Sequence, residues 1–365
     1  MSTPGSMLDL SIIVPFHNAS RSILPTLKAL EASTVRPLEI ILVNDGSTDD
    51  IADIVGRFIV SSASPVRCLP SSWCRRGAAA ARNAGAQEAK GSVLLFVDAD
   101  VVVEPNTIQR MYESLRQQQG LAIVAQFADH SLQKGVLAHF QAFLVSLTYS
   151  RLDSDSPCLG SQCVMLAADT FRRVGEFAES FAGATVEDFD MGYRLRELGG
   201  RIRIQREARI VHNHRYSIRS FLRNYYLKAR DLAFLLLETP SVKLSAAGYY
   251  SLSRLLAIPV FLTGLAMIVG SAIIRRWSLF PLGCLLLGSQ VFLERDFVVQ
   301  AVRRCSFGRA LVLVLLHQVV LLLGEVGAVV GILRFISRHG ISACGHNLHM
   351  RLRETLTSPR NRART

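Results

Sequence analysis

Two aspartates one residue apart, Asp98-Ala-Asp100, directly follow the apolar run Leu94-Leu-Phe-Val97. Side chains at i and i+2 of an extended segment point to the same side. Both carboxylates can therefore approach one hard divalent cation, as Mg2+ or Mn2+ bridging a diphosphate demands. The competing assignment is a solvated acidic strand end. Asp45, in Asn44-Asp-Gly-Ser-Thr-Asp-Asp50, can accept hydrogen bonds from a base or ribose, while Gly46 with Ser47 or Thr48 suits a turn and helix cap. Arg82-Asn83-Ala-Gly85 offers a cation to a diphosphate, and Pro15-Phe-His-Asn18 ends the first apolar run. Glu187-Asp188 lies just before the helical Met191-Gly-Tyr-Arg-Leu195, and His212 and His214 follow Ile210-Val211.

Alternating elements must position these groups. Ser11-Ile-Ile-Val-Pro15, Leu38 to Val43 and Ser92 to Val97 read as buried strands. Residues 21–33, with Ile23, Leu24, Leu27 and Leu30 at helical spacing, read as a helix, as do 49–60 and 78–90. Strands separated by such helices predict βαβ units and a parallel sheet. Ligands of such sheets sit beyond the carboxyl ends of the strands, where Asp45 and Asp98 fall.

The composition divides the chain. Of 365 residues, 50% are hydrophobic and 19% charged, which excludes a disordered chain. The net charge is +12, and the residues beyond 240 supply +11 of it. That half also contains three apolar stretches, 255–274, 278–293 and 310–333. A basic balance placed there points to a membrane surface, and no basic aromatic stripe in the front half suggests nucleic acid. Ser217 to Leu237 mixes Arg219, Arg223, Lys228 and Arg230 with Phe221, Leu222, Tyr225 and Phe234. It predicts a basic amphipathic helix that lies on an anionic leaflet or packs on the domain. The seven cysteines form no CxxC pair and no zinc spacing, so reduced thiols of a cytosolic domain are expected. The apolar run Leu10 to Phe16 is too short for a signal sequence and reads as a strand.

Taken together, Val14-Pro15-Phe-His-Asn18, Val43-Asn-Asp-Gly-Ser-Thr-Asp49, Ala81-Arg-Asn-Ala-Gly85, Phe96-Val-Asp-Ala-Asp100 and Val186-Glu-Asp-Phe-Asp-Met-Gly-Tyr-Arg-Leu195 resemble the family 2 glycosyltransferases. The resemblance covers roughly residues 10 to 235. It implies an α/β GT-A (Rossmann-like) nucleotide-sugar-binding domain, followed here by a C-terminal transmembrane helical region. It also implies roles. Asp45 would bind the nucleobase in a pocket shared with Pro15, His17 and Asn18, His17 standing where the family often has tyrosine. Arg82 would contact the ribose-phosphate. Asp98 and Asp100, with His214 completing the set, would hold a divalent Mg2+ or Mn2+. For both histidines the competing assignment is satisfaction by local hydrogen bonds. Asp98, Gly160 and Ser161 would line the donor-sugar and acceptor site. Asp188 would be the general base, supported by Glu187, in a single inverting displacement.

The expected partners are a nucleotide-diphosphate sugar, UDP-linked most often in this family, and a lipid or lipid-linked hydroxyl acceptor. Processive members carry a Gln-x-x-Arg-Trp motif, and nothing between Asp188 and Leu255 matches it. Transfer of one sugar is therefore expected, against the alternatives of a processive synthase or a non-catalytic binding protein. The expected organisation is a catalytic domain over 1–215, an interfacial segment over 216–250, a membrane region over 251–335 and an Arg-rich tail over 336–365. The expected setting is a multi-pass membrane protein with a cytoplasmic catalytic domain. The positive-inside rule asks for the tail on the same side, which requires one apolar stretch not to cross.

Overall fold

The computed structural model describes residues 7–69, 76–117, 121–152, 159–180, 186–238, 252–344 and 347. Two compact units divide the chain, Met1–Ser217 and Ile218–Thr365. The first is built on an eight-stranded sheet. Its early strands are β1 (Met7–Phe16), β2 (Arg36–Asn44), β3 (Val66–Leu69) and β4 (Val93–Val97). They are followed by β5 (Val101–Val103), β6 (Leu121–Ser131), β7 (Cys163–Ala167) and β8 (Arg201–His212). The sheet order is β3-β2-β1-β4-β7-β6-β8-β5.

Apolar, β-branched runs bury the central strands on both faces, as crossover helices require. Every residue from Leu10 to Phe16 and from Val93 to Val97 is buried. Helices α1 (Ile23–Glu31), α2 (Ile51–Ser61) and α3 (Ala78–Gln87) connect the early strands. α1 buries Ile23, Leu27 and Leu30, while α2 buries Ile51, Val55 and Phe58. Apart from Arg82 and Asn83, the buried residues of α3 are alanine and glycine. A Cβ at Gly85 would collide with Ile13 and stand 3.1 Å from Val43, so only glycine lets α3 lie this close to β1 and β2.

The parallel sheet expected from the alternation is present in β3-β2-β1-β4. Beyond β4 the sheet becomes mixed. β7 pairs antiparallel with both β4 and β6, and β5 pairs antiparallel with β8. The reversal has a functional result: the start of β7, not its end, meets the carboxyl end of β4, with Cys163 opposite Val97. The loop holding Gly160 and Ser161 is thereby brought to the ligand edge. Helices α4 (Thr107–Arg116), α5 (Val136–Arg151), α6 (Ala168–Val174) and α7 (Glu187–Glu197) complete this unit.

The second unit is helical: α8 (Ile218–Glu238), α9 (Leu252–Ile273), α10 (Leu279–Leu293), α11 (Arg295–Arg304) and α12 (Phe307–His339). The expected amphipathic segment forms α8, and within this unit its apolar face packs on α12. A Cβ at Gly327 would lie 2.5 Å from the Tyr226 carbonyl and 3.2 Å from Ala229, the close approach that small residues permit between helices. α12 is the one helix among the described residues long and apolar enough to cross a bilayer. Val260–Ile273 and Leu279–Ser289 form shorter apolar helical stretches, so the expectation of several crossings is not met by helix length. The polar residues of α12 do not face outward at random. His317 and Glu325 are buried, with His317 stacked on Phe297 at 3.9 Å and its Nε2 donating to Glu294 (3.2 Å).

Candidate active site

Asp45 follows β2, and its carboxylate accepts the backbone N–H groups of Arg76 (2.9 Å) and Gly77 (3.1 Å) at the start of α3. A cavity of about 280 Å3 opens beside it, walled by Val43, Asp45, Leu69, Arg76, Ala81 and Ala84 among others. The flat alanine face of α3 on one side and a carboxylate on the other suit a planar, hydrogen-bonding ring. Pro15, His17 and Asn18 do not line this cavity. His17 Nδ1 instead donates to the Asp45 carbonyl (2.9 Å), and Asn18 Nδ2 donates to His17 Nε2 (3.2 Å). Asn18 has a left-handed φ of 49° and accepts the Thr48 N–H (2.8 Å). These residues brace the loop after β2.

Asp98 and Asp100 lie between β4 and β5, and α1 holds the residue between them: Thr26 Oγ1 donates to the Ala99 carbonyl (3.1 Å). The two carboxylates face different partners. Asp98 accepts from Arg82 (2.7 Å). Burial pushes the Asp98 carboxyl up from its ordinary pKa, although Arg82 pulls the other way. Asp100 accepts from His214 Nδ1 at 2.8 Å and has His212 Nε2 at 3.5 Å. Burial would raise its pKa too, but the two imidazoles outweigh it and hold Asp100 well below the usual carboxylate range. Tyr216 donates its hydroxyl to His212 Nδ1 (3.2 Å), and its ring lies tilted against that of His214 at 4.5 Å.

The expected trio Asp98, Asp100 and His214 is thus assembled in part, with Asp100 and His214 together and Asp98 turned to Arg82. Among the described residues no three His, Cys, Asp or Glu side chains form a closed metal-binding group. The Asp100 and His214 donors nonetheless fit a cation such as Mn2+, since one carboxylate and one imidazole leave positions for diphosphate oxygens.

Glu187 and Asp188 open α7, and both are buried. Carboxylates at a helix N-terminus are favoured by the positive end of the backbone dipole. Phe189 N–H donates to Asp188 Oδ1 (2.9 Å), while Glu187 Oε1 accepts from Arg82 (3.0 Å). Gly160 has φ +57°, and a Cβ there would meet the Tyr149 hydroxyl at 2.5 Å. Ser161 is buried beside it. The Asp98 N–H donates to the Gln162 carbonyl (3.0 Å), which fastens this loop to the acidic pair.

Sequence reasoning misses Thr26, Arg76, Glu179 and Tyr216. For Tyr216 a signal exists in the alternating His212-x-His214-x-Tyr216 spacing. For Glu179, which bonds Arg76 (2.6 Å) and Asn83 (3.1 Å), no local pattern announces it. The described cysteines, Cys68, Cys163, Cys284, Cys305 and Cys344, are free thiols. Cys74 and Cys158 lie outside the described residues.

Residues 11–172 match the family described as Glycosyl transferase family 2. Among curated proteins, Glycosyltransferase GlyG of Streptococcus pneumoniae serotype 4 is 29% identical over 34% of this chain and 41% of its own length. From Escherichia coli, the UDP-Glc:alpha-D-GlcNAc-diphosphoundecaprenol beta-1,3-glucosyltransferase WfaP is 35% identical over 25% of this chain and 35% of its own. The chain therefore spans well under half the length of these relatives. Among solved structures, the mannosyltransferase PcManGT of Pyrobaculum calidifontis, in complex with GDP-Man and Mn2+, superposes with TM-score 0.54. It is 14% identical, over 92% of this chain and 90% of the other, a likeness of fold.

Proposed function

We propose, from the match of residues 11–172 to the family 2 glycosyltransferases, that the chain is such an enzyme and moves one sugar from a nucleoside-diphosphate donor to a hydroxyl acceptor. The observation that carries this reading is the placement of four kinds of group at one edge of the sheet. A base-sized cavity beside Asp45, the Asp98/Asp100 pair, the Gly160-Ser161 loop and the Glu187-Asp188 helix start all lie there. Asp45 accepts a ring N–H of the base. Asp100 and His214 would hold a divalent cation, Mg2+ or Mn2+, whose chemistry when bound is to neutralise charge on the leaving diphosphate. Asp98 orients the donor sugar, and Ser161 lies at the same edge.

Asp188 acts as general base. It takes the acceptor hydroxyl proton while the new C1–O bond forms and the C1–O bond to the diphosphate breaks from the opposite face. The anomeric carbon is inverted. Absence of the Gln-x-x-Arg-Trp motif favours a single transfer over a processive synthase. A lipid-linked acceptor is supported by α12, by the basic balance of the second unit, and by the relative WfaP, named for an acceptor on diphosphoundecaprenol. The catalytic unit faces the cytoplasm on this reading, with its free thiols and the nucleotide-sugar pool.

The test is turnover of a panel of UDP-, GDP- and dTDP-sugars with a membrane lipid extract as acceptor. Product with Mn2+ or Mg2+, lost in EDTA and restored by metal, supports the proposal. Undiminished turnover in EDTA removes the metal from it, and no turnover with any donor overturns it.

A further inference from the structure

Family resemblance would place the Arg82 guanidinium on the donor's ribose-phosphate, but its surroundings give it other work. Arg82 is 1% exposed, one of the most deeply buried large side chains in the molecule. Its two terminal nitrogens are both committed, one to Glu187 Oε1 (3.0 Å) and the other to Asp98 Oδ1 (2.7 Å). Its remaining nitrogen, Nε, is buried and has no hydrogen-bond partner among the described residues. The plane packs over the Phe177 ring at 5.4 Å. Asn83, the next residue, clasps that wall by bonding the Phe177 carbonyl (2.9 Å) and N–H (3.0 Å). Phe177 in turn sits against Phe96 and Phe171, at 5.3 and 5.6 Å. The guanidinium is therefore fixed from its ring face and from both terminal nitrogens.

The two carboxylates it joins belong to opposite sides of the reaction. Asp98 belongs to the donor pair after β4. Glu187 is the first residue of α7 and the immediate neighbour of Asp188. We infer that Arg82 is a positioning residue: a buried strut that sets the Glu187-Asp188 turn against the Asp98-Ala-Asp100 segment. The inference rests on the proposed transferase reading for its consequence, but not for the link itself. A planar fork with two parallel donors can serve two carboxylates at once, whereas an ammonium is a point charge. Lysine at 82 would keep the cation and lose the strut.

The experiment uses the full-length chain with the substitutions Arg82→Lys, Arg82→Met and Glu187→Gln. Glu187→Gln keeps the side chain's shape and removes one carboxylate, and it covers the case in which Arg82→Met does not fold. Three quantities are measured: binding of UDP and GDP with Mn2+ by calorimetry, kcat for sugar transfer, and amide exchange of the 186–192 segment relative to 93–97. The expected result is binding within about threefold of the parent and kcat lower by on the order of 10²-fold, the scale of a small misplacement of reacting groups. Exchange should quicken at 186–192 alone. Nucleotide binding weakened tenfold or more at unchanged kcat would make Arg82 a phosphate contact and overturn the inference. Unchanged exchange at 186–192 in Arg82→Lys and Glu187→Gln would overturn it as well. If the parent chain turns over no nucleotide sugar, the transferase reading fails, and the exchange comparison alone decides the strut.

Discussion

Asp188 is buried and Asp100 half-buried, and on the proposed reading their neighbours give them different duties. Asp100 is faced by two imidazoles and is held ionised, which suits a permanent ligand. Asp188 stands at a helix start and accepts its neighbour's N–H on one oxygen, and on the proposed reading it is the base. Asp100→Asn should abolish metal-dependent turnover while the thermal midpoint stays within a few degrees, because His212 and His214 keep Tyr216 and the sheet edge in place. Calorimetry of UDP or GDP with and without Mn2+ checks it: the variant should lose the metal's contribution to binding. Asp188→Asn should behave otherwise, with nucleotide binding retained and kcat lower by roughly 10²–10⁴-fold, the usual worth of a general base. Loss of binding with kcat preserved would reassign Asp188 to the donor. The sequence makes both residues visible, because each occupies a short motif at an element boundary. It does not reveal that Asp98 and Glu187 share one cation. They lie far apart in the chain, and no local pattern encodes the buried guanidinium that joins them.

At the scale of elements, β1 to β4 are held together by one carboxylate as well as by their ladders. Glu39 on β2 accepts the Ser11 hydroxyl of β1 (2.8 Å), the Lys90 N–H before β4 (2.7 Å) and Arg67 Nε of β3 (3.0 Å). Burial alone would raise its pKa, but these donors outweigh it and leave it below the ordinary 4.5. The folded-state pKa is thus lower than the unfolded one. Its contribution is fully present above the unfolded value and is lost as pH falls through the folded one. Glu39→Gln should cost about 1–3 kcal/mol at pH 7, the range for disturbing buried hydrogen bonds. The gap to the parent should narrow as urea unfolding is repeated from pH 6 down to pH 3. A gap that stays constant over that range would mean the carboxylate charge contributes nothing. Periodicity locates β1, β2, β4 and the helices between them, because those runs are long and uninterrupted. It misses β3, four residues at the sheet edge, all half-buried and so without an apolar signature. It also misses the turn to antiparallel pairing after β4, since strand direction is set by the length and path of connections rather than by the strand's own residues.

Considered as a whole molecule, the chain joins a sheet-based unit that holds the candidate site to a helical unit that carries the net positive charge and the apolar α12. Full-length protein should sediment with membranes, resist carbonate at high pH and require detergent for release. Release by carbonate or by salt alone would make the attachment peripheral, through basic surfaces rather than α12. Where α12 contains His317 and Glu325, composition argues against a lipid-facing helix, and packing supplies what composition lacks by burying both. The antiparallel pairing of β5 with β8 has a consequence in time. It sets Val101 against His212, and Asn213 N–H donates to the Asp100 carbonyl (2.6 Å). Asp100 and His214 are thereby neighbours in space although 114 residues apart in the chain. On a ribosome adding roughly 5–20 residues per second, Asp100 emerges on the order of ten seconds before its imidazole partner. The four parallel strands and the cavity beside Asp45 can assemble in that interval. On the proposed reading, a nascent chain could thus complete its base site well before its cation site.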